Sequence, residues 1–329
     1  MITLLSPPVT VAIHSRNRNP TPINLLLTPD PSRQNDGVSR TVAFTTPQNY
    51  ADRLTHLLTL KKWAPLWCPT VVVEATPLTQ SNVLLYLKPP NPFDIRRSSL
   101  LEDFSAIAFT SRTGISVFTA ALVEIEAPPL SPFGEIFTIS ALGSDSDLLT
   151  DDFIARICAN SERIRVLVPP NATPSGLVES LGPGLGRKVL CPVPLVVGLE
   201  EPQVIPDFLR DLDLMGWDAV RVDGYETRWA GPNSAERLVT RERETVDAIV
   251  FTSTAEVEGL LKGLGEIGLG WGDLRRRWPG LVVAAHGPVT ALGAERLGLR
   301  VDVVSSRFSS FDGVVEALAH TWQSSSSYM

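Results

Sequence analysis

A chain of 329 residues exceeds one ordinary hydrophobic core and calls for two domains. Its hydrophobic content of 43% and charged content of 20% are those of a globular protein, and no apolar run is long enough to span a membrane. The net charge of −7 argues against a nucleic-acid partner and leaves any anionic ligand dependent on local donors.

The leader, residues 1–40, carries no Asp or Glu before Asp30 and holds Arg16 and Arg18 among Ser, Thr, Asn and Pro. That is the composition of an organelle transit peptide, and a merely disordered N-terminus accounts for it equally. From residue 41 short β-rich runs alternate with amphipathic helical ones. TVAFTT precedes NYADRLTHLLTL, and SAIAFTS precedes TGISVFTAALVEI. Further on, DAIVFTS precedes TAEVEGLLKGL, and LVVAAHG precedes VTALGAERLG. Such repetition is the sequence form of βα units on a parallel sheet, and near-continuous apolar strands imply helices on both faces. The tail after Trp322 reads as unstructured. Cys68, Cys158 and Cys191 share no metal-type spacing and read as reduced core residues. GLGEIG at 263–268 follows a helical run rather than a strand, so it is a helix end and not a nucleotide fingerprint.

An internal repeat organises the chain. AIAFTSRTGISVF (106–118) echoes AIVFTSTAEVEGL (248–260), and ISALGSDSDLL (139–149) echoes AAHGPVTALG (284–293). RVLVPPNATPSGLVESLG (165–182) echoes RVDVVSSRFSSFDGVVEALA (300–319), and the TVAFTTP segment has a partner in KVLCPVP. Two copies of one small α/β domain follow, with a ligand cleft where strand C-termini and helix N-termini of both copies meet.

The order strand-FTS-helix, then strand-GPVTA-helix, then the GVVEAL segment, with a Tyr-x-Thr segment ahead of all three, resembles the uroporphyrinogen-III synthase family over roughly residues 41–322. The resemblance implies two flavodoxin-like parallel-sheet domains with a cleft between them, joined by a two-stranded β-ladder. It places 41–67 and 229–329 in one discontinuous domain and 77–217 in the other, with 68–76 and 218–228 as the connecting ladder. It implies cyclisation of the linear tetrapyrrole hydroxymethylbilane to uroporphyrinogen III, with inversion of the last pyrrole ring and loss of water. No cofactor or metal is implied, and a monomer is expected. For localisation, the leader points to a plastid, with the cytoplasm as the alternative. A non-catalytic relative that binds a tetrapyrrole or another anion as a regulator is the second reading.

Tyr225 in GYETRW matches the family's tyrosine, which the resemblance implicates in helping the hydroxyl leave; packing at a ladder end is the bland alternative. Thr227, two residues on, shares its face on an extended strand. Ser253 and Thr254 follow the DAIVF strand as substrate-binding candidates, although helix capping alone explains a serine there. Ser111 is the counterpart in the other copy, and its neighbour Arg112 is a candidate for a substrate carboxylate, weighed against a solvated surface arginine. In the GPVT turn, Gly287 permits close approach or an unusual φ, and Thr290 matches the family's threonine. His286 is either structural or an acid at the cleft mouth. Two departures stand out. Asp145 and Asp147 flank Ser146 in the second copy, which implies either a turn facing away from the substrate or a lost binding role. The first strand also reads FTTP where family members carry an arginine before the proline.

Overall fold

The computed structural model describes residues 40–89, 98–240, 245–308 and 310–326; residues 1–39, on which the transit-peptide reading falls, lie outside them. The strands are β1 (Thr41–Phe44), β2 (Ala64–Trp67), β3 (Val71–Glu74), β4 (Ala106–Ala108), β5 (Phe137–Ser140) and β6 (Ile164–Leu167). They continue as β7 (Lys188–Val197), β8 (Asp218–Trp229), β9 (Ala248–Phe251), β10 (Val282–Ala285) and β11 (Val303–Val304). They form a five-stranded sheet, β11-β10-β9-β1-β2, and a six-stranded sheet, β3-β8-β7-β4-β5-β6. Every pairing among the described strands is parallel except β3 with β8.

The repeat is visible in this topology. The order β2-β1-β9-β10-β11 has its counterpart in β8-β7-β4-β5-β6, each the doubly wound 2-1-3-4-5 order of flavodoxin-like sheets. The central strands β4 and β9 are wholly apolar and buried because both faces are covered. Phe44, Leu54, Leu58, Val314 and Leu318 pack on one face of the five-stranded sheet, and Phe251, Leu260, Leu264 and Val283 on the other. The six-stranded sheet is sandwiched likewise, by a cluster around Ile107, Phe109, Phe118 and Phe153 and a second around Val189, Leu177 and Phe208.

Hydroxyl caps set the starts of the two helices that follow the FTS segments. Ser111 Oγ accepts from Gly114 N–H at 3.1 Å to open helix Arg112–Val123, and Ser253 Oγ accepts from Glu256 N–H at 3.4 Å to open helix Thr254–Glu266. Helix Thr254–Glu266 also ends where GLGEIG begins its turn. Two elements differ from the sequence expectations. The last helix runs Asp312–Ser326, past Trp322, because Trp322 is anchored edge-on to Trp63 at 4.7 Å and under the Arg40 guanidinium at 4.5 Å. The GSDSDL turn is a 3₁₀ helix over Gly143–Leu148, with Gly143 in the left-handed region at φ 48°, where its echo forms an α-helix over Pro288–Arg296.

Candidate active site

A cavity of about 540 Å³ opens where the carboxyl edges of the two sheets face each other. Its walls come from both copies: Tyr50, Arg53, Thr252, Ser253, Glu256, His286 and Phe311 from around the five-stranded sheet, and Ser111, Arg112, Asp145, Tyr225 and Thr227 from around the six-stranded one. Contacts bridge the two sides. Asn49 Nδ2 donates to Thr113 Oγ1 at 3.3 Å, and Lys262 Nζ donates to the Gly198 carbonyl at 2.8 Å.

A β-bulge aims the central residue. Asp223 is paired with Val193 and Tyr225 with Pro194, so Gly224 is the extra residue on β8. The Tyr225 side chain is buried and its Oη lies 2.7 Å from Ser111 Oγ, the same oxygen that caps helix Arg112–Val123. Burial pushes the phenol well above its ordinary value of 10; the Ser111 bond opposes this, while Tyr50 and Asp145 add to it. Tyr225 therefore keeps its proton at neutral pH and can donate a hydrogen bond, while the same burial makes full transfer of that proton less favourable. Thr227 lies on the same wall, buried between β3 and β7 through its pairings with Val73 and Val196.

Other candidates fall in different places. Ser253 is in the wall, and its hydroxyl is engaged with Glu256. Thr254 and Thr290 do not line the cavity: Thr254 packs into the space above Gly293, and Thr290 Oγ1 donates to the Thr252 carbonyl at 3.1 Å. Gly287 has an extended φ of −163° that any residue adopts; its small size matters because a Cβ there would stand 2.9 Å from Phe308 Cβ. His286 lines the cavity edge-on to Phe311 at 5.1 Å, and its buried Nδ1 has no hydrogen-bond partner among the described residues. Burial lowers its pKa, with the Phe308 backbone opposing and Arg53 adding, so the ring is neutral at pH 7. Arg112 is half-buried and 3.9 Å from Asp145, which is itself in the wall rather than turned away.

Three wall residues had escaped sequence reasoning. Glu256 is fully buried; its carboxyl accepts from the Thr252 N–H at 2.9 Å, from Thr45 Oγ1 at 2.8 Å and from the Thr252 hydroxyl. Burial raises its pKa against those bonds. The signal is the spacing Ser253-x-x-Glu256, the sequence pattern of a capping box, although here the carboxyl reaches the Thr252 N–H rather than that of the N-cap serine. Tyr50 stacks edge-on to Phe311 at 5.8 Å, its pKa raised by burial, and Arg53 lies over the same ring at 5.8 Å. Nothing in NYADRLTHLL distinguishes these two from ordinary helix-surface residues. Among the described residues no cluster of His, Cys, Asp or Glu could hold a metal ion, and no helix is long and apolar enough to cross a membrane.

The fold and cavity define a two-domain α/β clamp with a hydroxyl-rich cleft. The sequence profile of uroporphyrinogen-III synthase HemD matches residues 83–315, and the chain belongs to the uroporphyrinogen-III synthase family, a family of enzymes. A mutant uroporphyrinogen III synthase from the extremely thermophilic bacterium Thermus thermophilus shares the fold at 15% identity, with a TM-score of 0.51 over 87% of this chain and 100% of that one. The wild-type Thermus enzyme in another crystal form gives 0.42 at 17% identity over 87% and 99% of the two chains. The synthetase from Helicobacter pylori gives 0.40 at 13% identity over 86% and 99%. No curated protein matches this chain.

Proposed function

We propose that this chain is a uroporphyrinogen-III synthase: it closes hydroxymethylbilane to uroporphyrinogen III, with loss of water and inversion of the last pyrrole ring. The observation that carries the proposal is the buried Tyr225 hydroxyl held against Ser111 in the cavity wall. Departure of the terminal hydroxyl needs a donor beside it, and a phenol fixed by a capping serine supplies one without reorganisation. The resulting azafulvene cation must then be attacked at a substituted ring position, which is governed by how the cavity folds the chain of pyrroles. Thr227, Ser111, Arg112, Ser253 and His286 line the same space and act there as substrate contacts; Thr254, Gly287 and Thr290 support the wall from behind.

The same reading divides the chain into a discontinuous domain, 41–67 with 229–329, and a continuous one, 77–217, consistent with the sheet each strand belongs to. It also has the chain act as a monomer and enter a plastid, on the composition of residues 1–40; import of a fusion carrying that segment is the test. For the activity itself, a coupled assay fed with porphobilinogen is expected to yield the type III isomer. Only type I product at the uncatalysed rate would overturn the enzyme and favour a non-catalytic tetrapyrrole binder.

A further inference from the structure

The cavity wall holds two permanently charged cations among the described residues, Arg53 and Arg112, one from each side of the cleft. Each has only a loose acidic partner. Arg112 stands 3.9 Å from Asp145, and Arg53 stands 3.6 Å from Asp312 with both side chains half-exposed. Asp145 lies within the field of both arginines and also accepts from the backbone N–H of Arg112. Burial nevertheless holds its carboxyl above the ordinary value, so the site pays to keep this anion. The cavity's other carboxyl is of a different kind. Glu256 is wholly buried and saturated by hydroxyl and backbone donors, with no arginine beside it.

We propose that Asp145 is a placeholder for a substrate carboxylate: the ligand's acid group displaces it from Arg112, while Arg53 takes a second carboxylate across the cleft. The inference rests on the reading that the cleft receives a polycarboxylate tetrapyrrole. It accounts for how a chain of net charge −7 admits such a ligand. Asp145 offsets the charge of the two guanidiniums when the cleft is empty, and each can form a charge-assisted pair with the ligand when it is filled. Asp145 is suited to leave because its turn is a short 3₁₀ segment with no helical ladder behind it. Asn49 to Thr113 already joins the two elements that carry the arginines, so one ligand can reach both.

The test uses the whole chain and uroporphyrin III, a stable fluorescent octacarboxylate, as the titrant. Arg53→Gln and Arg112→Gln are each expected to weaken binding about tenfold, the loss of one charge-assisted pair. Asp145→Asn is expected to tighten binding roughly threefold, and that gain is expected to vanish in the Arg112→Gln background, since the two residues act as one unit. Unchanged binding in Arg53→Gln, or weaker binding in Asp145→Asn, would overturn the proposal. So would a wild-type chain that binds no octacarboxylate. A chain that shows the expected binding pattern yet makes only type I product would overturn the enzyme reading and leave the arginine pair standing.

Discussion

His286 shows how burial decides a residue's chemistry. Its ring is held below the ordinary value of 6.5 by desolvation, so a cation is unfavourable there and the ring does not serve as a charged acid at neutral pH. The sign of the linkage is fixed: the unfolded chain binds the extra proton first, so stability is lost as pH falls through 6.5 towards the lower folded value. Glu256 and Asp145 work the other way, since burial raises their folded values and acidification relieves them. Comparing the wild type with His286→Gln isolates the histidine. The wild type is expected to lose stability relative to the variant between pH 7 and 5.5, at up to about 1.4 kcal/mol per pH unit. A pH-independent difference in denaturation midpoints would contradict it.

Among the elements, the strand–hydroxyl–helix connections were legible because capping chemistry is local. FTS followed by an amphipathic run gave both helix Arg112–Val123 and helix Thr254–Glu266. Less legible were features set by what lies across the chain. The helix beyond Trp322 depends on Trp63, and Tyr225 is aimed by a bulge at Gly224 whose only sequence sign is a glycine inside a strand. The position of Thr254 after the strand suggests a ligand contact, but its side chain fills the gap to the neighbouring helix. A Cβ on Gly293 would lie 2.0 Å from Thr254 Oγ1 and 2.8 Å from Thr254 Cβ, and rotating the hydroxyl relieves only the first of these. Gly293→Ala would gain up to about 1 kcal/mol of helix propensity in open space. Here overpacking wins, and a net loss of about 1–2 kcal/mol is expected from chemical denaturation. A stabilised variant would refute this account of the helix contact.

At the scale of the whole molecule, the duplicated sheets create the site but do not make it symmetric. The two FTS connections reach the same cavity, yet one is followed by Glu256 and the other by Gly114 at the equivalent position. The first copy thereby seals its helix start with its own carboxyl. The second leaves Ser111 free to hold Tyr225 and places Arg112 beside a displaceable acid. The repeat in the sequence announced two copies and a cleft; it could not announce this division of labour, which arises from side chains meeting across 114 residues of chain. Tyr225 was read from the family's pattern, whereas Arg53 and Tyr50 become wall residues only once one sheet faces the other. The central claim is that the Tyr225 hydroxyl assists ring closure. It is tested most directly by turnover of Tyr225→Phe in the coupled porphobilinogen assay, alongside its unfolding midpoint and uroporphyrin III affinity. The account predicts that formation of the type III isomer falls about a hundredfold while fold and affinity are kept. Type III turnover equal to the wild type would contradict it.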